Sequence, residues 1–132
     1  MCEIEDIFIC GEKYKEISNK KVSLEKLCEY PAICLEENTS TRKYINRFFN
    51  ENNVRYIPKY ELATSDLIVD FTKRNFGIGC VVNKFAENSL KNKEIYQIKT
   101  REKIKKRNIC MIKKDKLISK ASRTLLEFIS NK

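Results

Sequence analysis

The amino-acid sequence predicts an α/β fold with a mainly parallel sheet. One reason is the order of its elements. Short apolar runs of strand length alternate with segments whose apolar residues recur at helical spacing, from residue 4 to residue 130. The other is the segment at residues 64–82, TSDLIVDFTKRNFGIGCVV, which reads as a capped helix, a tight turn and a fully buried strand. Such a unit brings helix and strand ends to one edge of a lobe, the usual place for a ligand.

Taken in order, residues 4–10 are apolar enough for a strand and residues 11–21 form a polar loop. Ser23 caps a short helix that runs to Glu29, and residues 32–35 make a second strand. Thr39, Ser40 and Thr41 open a helix over residues 40–52, with Ile45, Phe48 and Phe49 on one face. Residues 55–62 alternate imperfectly around Pro58, the mark of an edge strand. In the helix at residues 65–74, Thr64 and Ser65 are cap residues and Asp66 complements the helix dipole, as do Lys73 and Arg74 at the other end. Asn75 takes the left-handed position after that helix, and Gly77 and Gly79 allow close backbone approach before the strand at residues 78–82. A short helix near residues 83–90, strands at 94–99 and 107–113 and a helix at 118–130 complete the chain.

The 132 residues make one domain's worth of chain, long enough to bury about two thirds of its unfolded surface. No signal peptide is legible, and no apolar run approaches the ~18 residues that a membrane helix needs, so the expected place is the cytoplasm, away from any membrane. The six cysteines include no C-x-x-C pair, and histidine is absent, so no metal, cofactor or disulfide framework is expected. The cysteines read as small core hydrophobes. Cys28, on a short helix beside Lys26, is the candidate for a redox-sensitive thiol. Lack of histidine also removes Ser-His-Asp and Cys-His catalysis, and the acids are scattered, so the chain is expected not to be an enzyme. The net charge of +9 comes with abundant Lys, Asn and Ile, as AT-rich coding produces whatever the function. The densest basic run, residues 101–107, has no interleaved aromatic residue for base stacking and reads as a solvated connection.

Four segments together resemble one family. They are residues 23–33 (SLEKLCEYPAI), the helix start Ser40-Thr41-Arg42, residues 65–78 (SDLIVDFTKRNFGI) and residues 117–128 (LISKASRTLLEF). In this order and spacing the chain resembles the effector-binding domain of LysR-type transcriptional regulators over residues 4–130. Two departures from the family pattern are Asn75, where a glycine is usual, and Val82, where a proline often follows the strand. The resemblance implies a Rossmann-like lobe of a type 2 periplasmic-binding-protein-like domain. Residues 12–104 would form the second regulatory lobe, 4–10 and 107–113 the crossover strands, and 118–130 a terminal helix. It also implies a small-molecule effector, anionic in character, bound beside Glu36, Thr39, Ser40, Thr41, Thr64 and Ser65. The two helix starts among these residues offer hydroxyls and unpaired N–H groups suited to a carboxylate. Arg42 is placed either to meet an anion or to pair with a surface acid, the second being the commoner fate of such a residue. A homodimer is expected, with the stripe Ala121, Leu125, Phe128 and Ile129 of the terminal helix covered by a second chain. A fragment of a solute-binding protein of the same fold, or a small basic nucleic-acid-binding protein, are the competing readings.

No segment before residue 4 has the length of a DNA-reading helix, so DNA is expected as a partner only through a domain this chain does not contain. Gel-shift titrations of the chain against random and promoter-like duplexes are therefore expected to show only weak, salt-sensitive binding. A sequence preference approaching ~1,000-fold would contradict this.

Overall fold

A computed structural model describes residues 2–109. The expected terminal helix at 118–130, its apolar stripe and the end of the strand at 107–113 lie outside these residues. The chain begins with β1 (Cys2–Ile4) and β2 (Asp6–Cys10), so the single strand expected over residues 4–10 is broken at Glu5. A 3-10 segment, Glu12–Ser18, follows where the sequence suggested only a polar loop. Next come α1 (Leu24–Leu27), β3 (Ala32–Leu35), α2 (Ser40–Glu51), β4 (Tyr60–Leu62) and α3 (Ser65–Lys73). The described part ends with β5 (Ile78–Val82), α4 (Asn83–Lys91), β6 (Tyr96–Ile98) and β7 (Arg107–Ile109).

Five strands form one sheet in the order β4-β3-β5-β2-β6. β3 runs parallel to β4 and to β5, whereas β2 runs antiparallel to both β5 and β6. The mainly parallel expectation therefore holds for four strands, and β2 is the reversed one. β1 and β7 pair antiparallel in a separate two-stranded sheet, with Ile4 opposite Arg107. Because β2 is reversed, it begins at the edge where its parallel neighbours end. The N-termini of α2, α3 and α4 follow β3, β4 and β5 at that same edge.

β2 is buried along its whole length, and its side chains alternate between two cores. Phe8 and Cys10 face Ile78, Cys80 and Ile98, covered by Leu24, Leu27, Ile45, Phe48 and Phe49 of α1 and α2. Ile7 and Ile9 face Ile33, Leu35 and Val81, covered by Ile68 and Val69 of α3 and Ala86 of α4. Phe49 is fully buried, stacked at 4.2 Å on Tyr56 and edge-on to Phe8 and Phe48. β4 is the edge strand foreseen around Pro58, but shorter, beginning only at Tyr60.

The turn from α3 to β5 follows the local chemistry read from the sequence. Asn75 is left-handed (φ 66). The N–H of Asn75 donates to the carbonyl of Thr72 and that of Phe76 to the carbonyl of Phe71, the paired bonds of a Schellman cap. The Asn75 side chain also accepts from the Lys13 N–H at 3.0 Å, which ties the 3-10 segment to the end of α3. Both following glycines are needed for space. A Cβ on Gly77 would run into the Pro31 carbonyl, and one on Gly79 would meet the Thr72 hydroxyl at 2.5 Å. Gly77→Ala is expected to cost about 1–3 kcal/mol, because the obstructing atom is backbone rather than a movable side chain. Urea unfolding monitored by circular dichroism checks it, and an unchanged midpoint would mean that β3 and β5 can separate freely here.

Candidate functional site

Two helix starts lie side by side at the strand-end edge. β3 and β4 are in parallel register with Leu35 opposite Leu62, and the Glu36 N–H donates to the Leu62 carbonyl at 3.1 Å. The chain leaving β3 enters α2 through residues 36–41, and the chain leaving β4 enters α3 through Thr64 and Ser65. The structure thus gathers all six sequence-predicted residues at neighbouring strand ends, though their states differ.

Thr39 and Thr64 act as N-caps, their hydroxyls accepting from the N–H groups of Arg42 (3.1 Å) and Leu67 (3.3 Å). The Thr39 hydroxyl also donates to the Glu36 carbonyl at 2.9 Å. Ser40 and the Glu36 side chain are exposed, whereas Ser65 is buried. Thr41 accepts a hydrogen bond from Arg107 Nη2 at 3.0 Å. The chemistry left over at these starts is chiefly backbone: the first-turn N–H groups of a helix have no intrahelical acceptor and carry its positive dipole end. Arg42 is spent on structure. It is 4% exposed and donates to the Leu35 carbonyl, to Asn46 and, at 2.6 Å, to Glu61, with Glu37 at 3.8 Å.

Sequence reasoning missed the cluster beside Thr41. Asp6, 2% exposed, accepts two hydrogen bonds from Arg107, from Nε at 2.8 Å and Nη2 at 2.9 Å. The Arg107 guanidinium lies 4.7 Å from the centre of the Tyr44 ring, and the Tyr44 hydroxyl donates to the Lys105 carbonyl. An aspartate inside the apolar run of residues 4–10 was the signal that a cation must come to it. Its partner stands 101 residues away, at the end of the basic run first read as a solvated connection. The start of α4 adds Asn83, whose N–H donates to the Glu5 carbonyl at 2.7 Å and whose buried Oδ1 has no partner among the described residues.

Among the described residues, Cys10, Cys28, Cys34 and Cys80 are free thiols. Burial pushes the Cys10 and Cys34 thiols up to about 11 and raises those of Cys28 and Cys80. The thiolate that redox chemistry needs is thus disfavoured at neutral pH even at Cys28, the candidate singled out from the sequence. Among the described residues no cluster of His, Cys, Asp or Glu is disposed to hold a metal ion, and no helix is long and apolar enough to cross a membrane.

Comparison with known proteins gives a consistent picture. The family model described as the LysR substrate binding domain matches residues 2–132. The HTH-type transcriptional activator CmpR of Synechocystis sp. is 28% identical over 72 residues, which cover 54% of this chain and 24% of CmpR. Among solved structures, the regulatory domain of Synechocystis PCC6803 CcmR in complex with 2-PG has a TM-score of 0.71 at 17% identity, covering 96% of this chain and 61% of that one. The effector binding domain of QuiR in complex with shikimate has a TM-score of 0.68 at 17% identity, covering 96% and 59%. The CrgA regulatory domain of Neisseria meningitidis has a TM-score of 0.62 at 15% identity, covering 99% and 66%. The chain thus spans about a quarter of CmpR and about three fifths of the QuiR and CcmR domains. These neighbours share the type 2 periplasmic-binding-protein-like fold.

The Asp6–Arg107 pair yields a stability prediction. Asp6→Ala leaves Arg107 without its carboxylate and is expected to cost about 3–5 kcal/mol in urea unfolding. Replacing both residues, Asp6→Ala with Arg107→Met, is expected to recover part of that loss. A double variant as unstable as the sum of the two single changes would show that the two residues do not act as a pair.

Proposed function

The chain belongs to the LysR substrate binding domain family, and on that premise we propose that it is the ligand-sensing part of a transcriptional regulator. In this reading it binds a small anionic metabolite at the strand-end edge, beside Glu36, Thr39, Ser40, Thr41, Thr64 and Ser65, and occupancy there controls DNA binding and transcription by a longer protein. DNA is contacted through a separate domain, and the regulator works as a homodimer. The crossover role of residues 4–10 and 107–113, with residues 12–104 as one lobe, belongs to the same proposal. The antiparallel pairing of β1 with β7 supports it, because the two ends of the described lobe then leave it side by side. The family is one of regulator domains rather than enzymes.

The observation that carries the reading is the pair of capped helix starts at adjacent strand ends. Thr39 and Thr64 hold α2 and α3 so that first-turn N–H groups emerge at one edge. The ligands named for QuiR and CcmR, shikimate and 2-PG, both offer an acidic group for such donors, which suits an anion without identifying this chain's own effector.

Proline substitution tests the backbone directly. Ser40 is the first residue of α2, where proline is tolerated, and Thr39 before it is extended (φ −86, ψ 150), as a residue preceding proline must be. Ser40→Pro therefore removes one N–H donor while keeping the helix. In thermal-shift titrations, shikimate or 2-PG at millimolar concentration is expected to raise the melting temperature of the unaltered chain and to lose most of that effect in Ser40→Pro. Equal stabilisation of both proteins, with the same melting temperature in the absence of ligand, would move the site away from the start of α2.

A further inference from the structure

A groove of about 420 Å³ opens at the same edge, beyond β5, between the start of β2, the end of β6 and the connection from β6 to β7. None of the six helix-start residues lines it. Its volume lies in the range of small-molecule sites, roughly 300–1,000 Å³. Its charged lining is lopsided. Lys21 is brought next to Lys99 by the parallel bridge of Val22 with Thr100, and Lys103 and Lys106 come from the connection that follows β6. None of these four lysines has an ion-pair partner among the described residues.

Of the three acids at the groove, Asp6 is charge-paired with Arg107, and Glu102 accepts the Leu24 N–H at 3.1 Å but keeps its charge. Glu5 and Glu102 thus stand against four ammonium groups, an excess of two positive charges. The connection bearing the lysines is held at both ends despite its irregular backbone. At one end the Val22 N–H donates to the Lys99 carbonyl at 3.0 Å, and the Arg101 N–H donates to the Val22 carbonyl at 2.8 Å. At the other end the Tyr44 hydroxyl donates to the Lys105 carbonyl, and Arg107 grips Asp6. Ile104 packs against the core between these fixed points. The pinned backbone keeps the four lysine stems along one groove, so a bound polyanion can gather their ammonium groups without having to order the segment first.

We infer that this groove is a second binding site, for a small molecule bearing more than one negative charge, such as a phosphorylated or polycarboxylated metabolite. It is separate from the helix starts and does not depend on the reading given to them. The groove's volume of about 420 Å³, with four lysines along it, suits a compact ligand better than the extended phosphate backbone of a nucleic acid. Phe8, Ile98 and Ile104, which belong to one core, give the groove an apolar border beside which lysine–anion contacts are less screened by water.

Isothermal titration with pyrophosphate, citrate and acetate tests the inference. Pyrophosphate and citrate are expected to bind more tightly than acetate, and their affinity to fall as salt rises toward ~0.3 M. Lys99→Gln combined with Lys103→Gln is expected to weaken both about tenfold, with the melting temperature unchanged because both side chains are exposed. Ser40→Pro is expected to leave these affinities as they were, which separates this site from the one at α2. No binding, or binding indifferent to the lysine substitutions, overturns the inference. So does a loss in Ser40→Pro as large as that in the lysine variant, since the anions would then sit at the helix start. Lysine-dependent binding of a short DNA duplex with no binding of the small anions also overturns it, in favour of a nucleic-acid contact.

Discussion

A carboxylate taken fully out of water must find a cation, and Asp6 imposes that condition on the edge of the sheet where β2 begins and α2, α3 and α4 start. Its side chain is inaccessible, and two hydrogen bonds from Arg107 satisfy it. The effective cost of burying an unpaired ion is several kcal/mol, a large part of what a domain of this size has to spare. Arg107 must therefore lie alongside the start of β2, and the β1–β7 pairing, with Ile4 opposite Arg107, brings it there. The donor Nη2 is shared between Asp6 and Thr41, and the face of the guanidinium is turned to Tyr44. One buried acid thus ties the start of β2 to the start of β7 and, through Arg107 and Thr41, to the first turn of α2.

How much of this was legible beforehand follows the range of the interactions concerned. Thr39, Thr64 and Asn75 act within a few residues of themselves, so the boundaries of α2 and α3 and the left-handed turn after α3 could be read directly. β3 and β5 were equally plain, as short apolar runs between turn signals. The 3-10 segment was not, because what holds it comes from far away: Asn75 on the Lys13 N–H and the Tyr96 hydroxyl on Glu12. A polar stretch without periodicity gives no local hint of such support. The reversal of β2 was hidden for a related reason, since a run buried on both faces looks the same whichever way it points. At the candidate site the helix starts were visible in the sequence, whereas the Asp6–Arg107–Thr41 cluster depends on pairing across almost the whole described chain.

The reversed strand also explains why cationic features accumulate where they do. Parallel strands followed by helices place helix N-termini at the strand-end edge, and each contributes a partial positive charge that fades within the first turn. In a purely parallel lobe that is all the edge would hold. Because β2 starts at this edge and β6 ends at it, the connection from β6 toward β7 crosses there too, carrying full ammonium charges whose reach is about 8–10 Å at ordinary ionic strength. The thiols add no negative charge to offset them, since burial holds the described cysteines in their neutral form at physiological pH. Two kinds of positive group therefore share one side of the sheet: directional N–H donors at the starts of α2 and α3, and lysines beyond β5 that have no ion-pair partner among the described residues. The Asp6–Arg107 pair stands between them, and Arg107 touches the first through Thr41, while Asp6 lines the groove of the second.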